Sequence, residues 1–204
     1  MLWLLVGCVV VTVVIGLLVV HQSQAGAFDR SADSWLRAAF GGRYRLPHLA
    51  ADLAEPVQYT LAAAVIVGAC LAAGRLRGAV LTAVSLPGAI VVTEFLLKPL
   101  VGRTLGGHLV YPSGHASRAF ALATVIAVLL LGPQAPRWPL PARLALAVTA
   151  LLVAACVAVA VTAIRYHYFS DTLGGAAVGA GAVVATALAL DWIAATLPAW
   201  RHRR

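Results

Sequence analysis

The sequence predicts an all-α integral membrane protein with six transmembrane helices, folded as a single membrane domain over residues 1–204. Apolar residues make up 62% of the chain and charged residues only 11%, which excludes an ordinary soluble domain. A helix needs about 20 residues to cross a hydrocarbon core of roughly 30 Å. Six apolar stretches approach or reach that length, with no internal repeat among them. They cover residues 2–20, 57–73, 78–97, 116–132, 142–164 and 172–193.

The first stretch has two interpretations, because residues 23–25 place small side chains at the spacing of a signal-peptide cleavage site. No positively charged segment precedes this stretch, and it is longer than the apolar part of a usual signal peptide, so we interpret it as a span. Pro87 is expected to kink the third span. Residues 34–40 form an amphipathic segment, which we expect to be a structural helix at the membrane surface rather than a substrate gate.

Arginines in the short loops indicate which side faces the cytoplasm. With six helices, seven of them fall on one side, namely Arg75, Arg77, Arg137, Arg143, Arg201, Arg203 and Arg204. We therefore expect that side and both termini to be cytoplasmic. The net charge of +8 then reflects this topology together with an anion site. Nucleic acid binding is not expected, because no basic run is interleaved with aromatic residues.

Two polar stretches, residues 111–115 and 165–171, lie at the ends of apolar segments and are separated by two spans, so they face the same side. We expect one extracytoplasmic mouth to gather nine candidate residues: Lys98, Arg103, Ser113, Gly114, His115, Arg118, Arg165, His167 and Asp171. The cations and the Ser-Gly turn before a helix predict a phosphate cradle, because free N–H groups and the positive helix end favour an anion. For Arg118, phosphate binding and capping of a neighbour both stay open.

Two histidines beside such a cradle predict a reaction centre. His167 and Asp171 are four residues apart, so in a helix they share one face and the carboxylate can hold one ring nitrogen. We interpret His167 as the nucleophile and His115 as the general acid. This arrangement requires no metal and no cofactor. Glu94, four residues before Lys98, is expected to neutralise that lysine.

These residues resemble the type 2 phosphatidic acid phosphatase (PAP2) superfamily of membrane lipid phosphatases, which share a six-helix core with an active site at one membrane face. The resemblance covers residues 98–175. The family's middle motif is complete as residues 112–115, and the end of its third motif is present as His167 and Asp171. The resemblance implies that Ser113 and Gly114 bind phosphate, that His115 is the acid, and that His167 forms a phosphohistidine oriented by Asp171.

Two arginines of the family motifs are missing from their usual positions. The first motif has a lysine followed seven residues later by Arg-Pro, whereas Lys98 is followed by leucine at position 105, and Arg103 is the expected substitute. The third motif has Ser-Arg before its histidine, where this chain has Ala160 and Val161. Arg165 lies one helical turn closer to the mouth and is the expected source of that guanidinium.

The resemblance implies a metal-independent phosphatase that acts on a phosphate monoester or diphosphate of a lipid in the bilayer. A polyprenyl (di)phosphate is the leading expectation, and phosphatidate and phosphatidylglycerol phosphate also fit. A phosphotransferase with a lipid or sugar acceptor and a lipid-phosphate transporter are the open alternatives. One lysine against fourteen arginines favours a high-GC genome, so we expect a bacterial inner (plasma) membrane protein. The sequence does not indicate which oligomeric state the protein adopts.

Overall fold

A computed structural model describes residues 1–196, which form nine α-helices, one π-helical segment and a short β-hairpin. The helices are α1 (Leu2–Val19), α2 (Ala27–Phe40), α3 (Arg45–Asp52), α4 (Pro56–Ala72), α5 (Leu76–Ile90), α6 (Lys98–Val101), α7 (Gly114–Leu131), α8 (Leu140–Ala163) and α9 (Phe169–Thr196). The π-helical segment (Val91–Leu97) joins α5 to α6. Strands β1 (Thr104–Leu105) and β2 (His108–Leu109) pair antiparallel between α6 and α7.

All six predicted stretches are helical, which confirms the all-α membrane fold. Within the described residues, five helical segments are long and apolar enough to cross a membrane on their own. The sixth crossing depends on α3 and α4, which qualify only as a pair and are bent by 47° relative to each other. The break falls at residues 53–55, where the chain leaves α3 and Pro56 starts α4. Proline suits this first helical position, since its missing N–H would have no partner there.

The third span continues past Pro87 as one helical unit from Leu76 to Val101. Four residues after the proline the backbone changes to a π-helix, a rare form that is frequent near functional sites. The buried Thr93 in this segment donates a hydrogen bond of 2.9 Å to Ser117 of α7. The π-helical segment is thereby fixed against α7, close to the start of that helix.

Helices α7 and α9 pack with their backbones in close contact. A side chain at Gly175 would collide with the carbonyl oxygen of Ser113, and one at Gly179 with that of Ser117. Small residues permit such an approach between membrane helices, so these two glycines allow the close packing of α7 on α9. The contact sets the start of α7 directly beside the start of α9, where the two candidate histidines lie.

The opposite end of the bundle carries the arginines of the short loops. Arg77 donates a hydrogen bond to Asp191 near the end of α9, and both border a cavity of about 380 Å³ that Pro133 also lines. The loops before α5 and after α7 therefore share one end, as the arginine pattern predicted. Three other arginines of that pattern, Arg201, Arg203 and Arg204, lie outside the described residues.

Helix α2 is longer than the predicted amphipathic segment and extends to the candidate site. Its buried positions are Asp29, Asp33 and Leu36, while Trp35 is exposed. Burying two carboxylates is costly unless they are paired or accept hydrogen bonds. Both bind the start of α9, so α2 is more than a helix resting on the membrane surface.

Candidate active site

The structure brings the two candidate histidines together. His115 lies in the first turn of α7, and His167 lies in the loop just before α9. Their ring centroids are 6.1 Å apart. The two helix starts are also joined directly, because the Ser113 N–H donates a hydrogen bond of 2.9 Å to the Asp171 carbonyl. The two polar stretches therefore lie side by side at one end of the bundle.

His167 presents one free ring nitrogen. Its Nδ1 lies 3.0 Å from the carbonyl oxygen of Val110, and a carbonyl can only accept, so Nδ1 carries the proton. The lone pair is then on Nε2. Burial, together with the positive charges of His115 and Lys98, lowers the pKa of His167 to about 3. The ring is neutral at pH 7 and its Nε2 can act as a nucleophile.

Asp171 is not the direct partner of His167 that the four-residue spacing predicted. The shortest distance between Asp171 Oδ2 and His167 Nδ1 is 3.9 Å. Helix α9 begins only at Phe169, so His167 lies outside the helix and the two side chains do not stack on one helical face. Asp171 Oδ2 instead accepts a hydrogen bond from the Tyr168 N–H at 2.9 Å, which fixes the loop that carries His167.

Arg103 also differs from its expected role as a phosphate ligand. Its side chain is completely buried, and Nη1 donates to Asp171 and Ser170 at 2.6 and 2.7 Å. Nη2 donates to Asp29 at 2.6 Å, and the guanidinium carbon lies 4.2 Å from the centre of the Tyr168 ring. Burial acts to lower the pKa of Arg103, but the two carboxylates outweigh it and raise that pKa. Arg103 therefore joins α2 to α9 instead of facing the mouth.

The partner of His115 was not predicted from the sequence. Nε2 of His115 lies 3.1 Å from a carboxylate oxygen of Glu55, the residue just before α4, and the Glu55 side chain is 43% exposed. Glu55 is 60 positions away in the chain and belongs to no recognisable motif, so only the tertiary fold reveals this contact. This contact holds the imidazole ring in a fixed orientation, as a general acid that must reach a leaving oxygen requires.

The phosphate cradle expected at the start of α7 is partly filled by a protein carboxylate. Lys98 Nζ is 2.6 Å from Glu94, which confirms the predicted ion pair. A side chain at position 114 would displace that carboxylate, so Gly114 allows its close approach to the start of α7. The Ser113 hydroxyl accepts a hydrogen bond of 3.3 Å from the Ala116 N–H as the N-cap of α7.

Arg118 and Arg165 each have side-chain donors that no group in residues 1–196 uses. The buried Nε of Arg118, in the second turn of α7, has no hydrogen-bond partner there. Arg165 is exposed and forms neither a hydrogen bond nor an ion pair through its guanidinium within the same range. It borders a cavity of about 460 Å³ that also reaches His167. Both cations are therefore available to an anion, which favours phosphate binding over capping for Arg118.

The backbone at Arg165 has an unusual conformation for its residue type. Its φ is +64°, and its N–H donates to Thr162 while the next N–H donates to Val161. This pattern is a Schellman motif, which ends a helix and normally has glycine at the left-handed position. An arginine held there at a conformational cost points to a role for its side chain.

In residues 1–196, no group of three or more His, Cys, Asp or Glu side chains is arranged to hold a metal ion. The expectation that the reaction requires no metal and no cofactor stays a prediction, because it concerns the chemistry. The site consists of a neutral histidine with a free Nε2, a second histidine paired with a carboxylate, and cations around them.

Fold and site together define a helical membrane protein with a histidine pair and cations at one end of its bundle. The family model of the PAP2 superfamily matches residues 79–194, more than half of the chain, and the chain belongs to this superfamily. The matched region includes both histidines but not α2 or Glu55. No curated protein and no solved structure gives a significant match. Members of the superfamily are generally phosphatases, which indicates activity on phosphate esters.

Proposed function

We propose that this protein hydrolyses the phosphate of a membrane lipid through a covalent phosphohistidine on His167. One observation carries the proposal: His167 is buried and neutral, with Nδ1 bound to the Val110 carbonyl and Nε2 free, 6.1 Å ring to ring from a second histidine. A nucleophile and an acid at this separation leave space for a phosphorus atom between them.

The reaction takes place in two steps. Nε2 of His167 attacks phosphorus and forms an N–P bond while the P–O bond to the lipid breaks, and His115 gives its proton to the departing oxygen. Water then attacks phosphorus, His115 accepts a proton from it, and inorganic phosphate leaves with His167 restored. Lys98, Arg118 and Arg165 neutralise the transferring group, while Ser113 and Gly114 provide the start of α7 beside it.

Glu55 and Arg103 act as positioning residues in this proposal. Glu55 holds the His115 ring in position through its contact with Nε2. Arg103 holds Asp171 and Asp29, and Asp171 in turn binds the loop that carries His167. We thus replace the expected phosphate-binding role of Arg103 with a structural one, and the direct Asp171–His167 contact with an indirect one.

The substrate is a lipid whose phosphate reaches the membrane surface while its tail stays in the bilayer, and a polyprenyl phosphate or diphosphate is our leading candidate. We place the protein in a bacterial inner membrane with the site facing outward. The arginine-bearing loops at the other end of the bundle support this orientation, because cytoplasmic loops are enriched in Arg and Lys.

The test is release of inorganic phosphate by purified protein in detergent with a chelator present. The substrates are a polyprenyl diphosphate, a polyprenyl phosphate, phosphatidate and phosphatidylglycerol phosphate, each measured with wild type and with His167→Ala. We expect release by the wild type only, with both proteins unfolding at similar temperatures. Transfer to an added acceptor without phosphate release in water would favour a phosphotransferase, and equal release by the variant would refute the proposal.

A further inference from the structure

The cavity of about 460 Å³ beside His167 is larger than one reacting phosphate group requires. Arg30 and Arg37 of α2 and Arg165 of the loop after α8 border it, and Asp33 and Tyr168 complete its wall. A water molecule occupies about 30 Å³ in the liquid, so the space corresponds to roughly fifteen water molecules, more than a group of one phosphorus and four oxygen atoms fills. Arg30 and Arg37 lie outside the region matched by the family model.

The cavity has an excess of positive charge. Three guanidinium groups face one carboxylate, Asp33, whose Oδ1 already accepts a hydrogen bond from the Phe169 N–H at 3.1 Å. The distance from Arg37 to Asp33 is 4.0 Å, at the outer limit of an ion pair. Arg30 donates to the Ala25 carbonyl at 2.6 Å through one nitrogen and keeps its other donors. Planar guanidinium groups match phosphate oxygens in geometry as well as in charge.

Helix α2 holds two of these arginines at a fixed position relative to His167. Its buried Asp29 accepts hydrogen bonds from the N–H and hydroxyl of Ser170, both at 2.9 Å, and Asp33 accepts from Phe169. These acceptors satisfy N–H groups at the start of α9, immediately after His167. Arg30 and Arg37 are seven residues apart, two helical turns, so they lie on the same side of α2. A binding site built on an anchored helix needs little reorganisation.

We propose that Arg30 and Arg37 form a second phosphate subsite beside Arg165, so that the preferred substrate is a lipid diphosphate. This inference rests on the proposed function. The terminal phosphate reacts at His167 while the inner phosphate lies among the arginines. Nε2 of His167 bonds to the terminal phosphorus, and the bond from that phosphorus to the bridging oxygen breaks. The lipid monophosphate leaves with the electron pair, stabilised by the guanidinium groups, and water then releases inorganic phosphate.

The test compares a polyprenyl diphosphate with the monophosphate of the same chain length. We expect Arg30→Gln and Arg37→Gln each to lower the ratio of the two kcat/KM values about tenfold, because a contact to the inner phosphate exists only with the diphosphate. Arg43→Gln is the matched control, since Arg43 is exposed, follows α2 and does not border the cavity. This control should leave the ratio at its wild-type value.

Binding of inorganic diphosphate and of inorganic phosphate, measured by calorimetry on the same proteins, gives a second readout without turnover. We expect the Arg30 and Arg37 variants to weaken diphosphate binding at least five times more than phosphate binding. An unchanged kcat/KM ratio together with unchanged relative binding would overturn the subsite and leave the phosphohistidine proposal intact. In that case His167→Ala would lose phosphate release from every lipid, while the arginine variants would keep the wild-type ratio.

Discussion

Replacing Arg165 by glycine should lower activity without lowering stability. The side chain of this arginine supports activity, whereas its backbone conformation costs stability. The residue has a φ of +64° at the end of α8, where a non-glycine residue costs roughly 1–2 kcal/mol. Glycine removes this cost. It also gives the unfolded chain more conformational freedom, which lowers the stability of the folded protein by about 0.4–1 kcal/mol. Arg165→Gly should therefore be as stable as the wild type, or more stable by up to about 1.6 kcal/mol.

Activity should fall in the same variant. A hydrogen bond to a charged group contributes about 1.5–3 kcal/mol, which corresponds to a loss in kcat/KM of roughly 10-fold to 100-fold. Arg165→Ala is the matched comparison, since it removes the same side chain but keeps the strained backbone. Both variants should lose the same activity, with the alanine protein unfolding at a lower temperature than the glycine protein. The reasoning is refuted if Arg165→Gly keeps wild-type kcat/KM, or if it is less stable than Arg165→Ala.

Three further predictions concern the groups around His167. Arg103→Met should destabilise the protein by about 3–5 kcal/mol because it leaves Asp29 and Asp171 buried without their cation, and thermal unfolding in detergent should show a far smaller effect for Arg43→Met. Glu55→Gln should slow hydrolysis of a lipid phosphate about tenfold but slow p-nitrophenyl phosphate much less, since a good leaving group needs no acid; equal slowing would refute the pairing with His115. Because the pKa of His167 is lowered, its ring should stay neutral from pH 8 to pH 5. The imidazole NMR signals of His167 are identified as those that disappear in His167→Asn, and they should not titrate near pH 6.5. Because the unfolded chain takes up this proton below about pH 6.5 and the folded chain does not, stability should decrease as the pH falls through that value.

The membrane fold could be predicted from the sequence because each span carries its own signal in about 20 residues. All six stretches are helical, and the observed ends differ from the predicted ones by only a few residues for most of the spans. The short helix α3 was not predicted from the sequence. It is bent relative to α4, and the sixth crossing exists only if these two helices count as one span. A hydropathy pattern detects long apolar stretches, so it does not show where a short polar helix leads into a span.

The site was predictable where the motif is local and not where it depends on tertiary contacts. His115 and His167 were placed together correctly, since two intervening spans return the chain to the same side. The roles of Arg103 and Asp171 were wrong in detail because Arg103 binds both Asp171 and the buried Asp29, and α2 has no motif that indicates this contact. The Glu55 contact depends on how α4 packs beside α7, which no spacing in the sequence encodes.

Trapping the covalent intermediate tests the central claim most directly. The purified protein is mixed with a lipid phosphate labelled with ³²P and quenched in alkali, where phosphohistidine survives, and the label is followed to a peptide. The account predicts label on His167 in the wild type and none in His167→Ala. Phosphate release by the wild type without any labelled histidine, or label on His115 instead of His167, would contradict it.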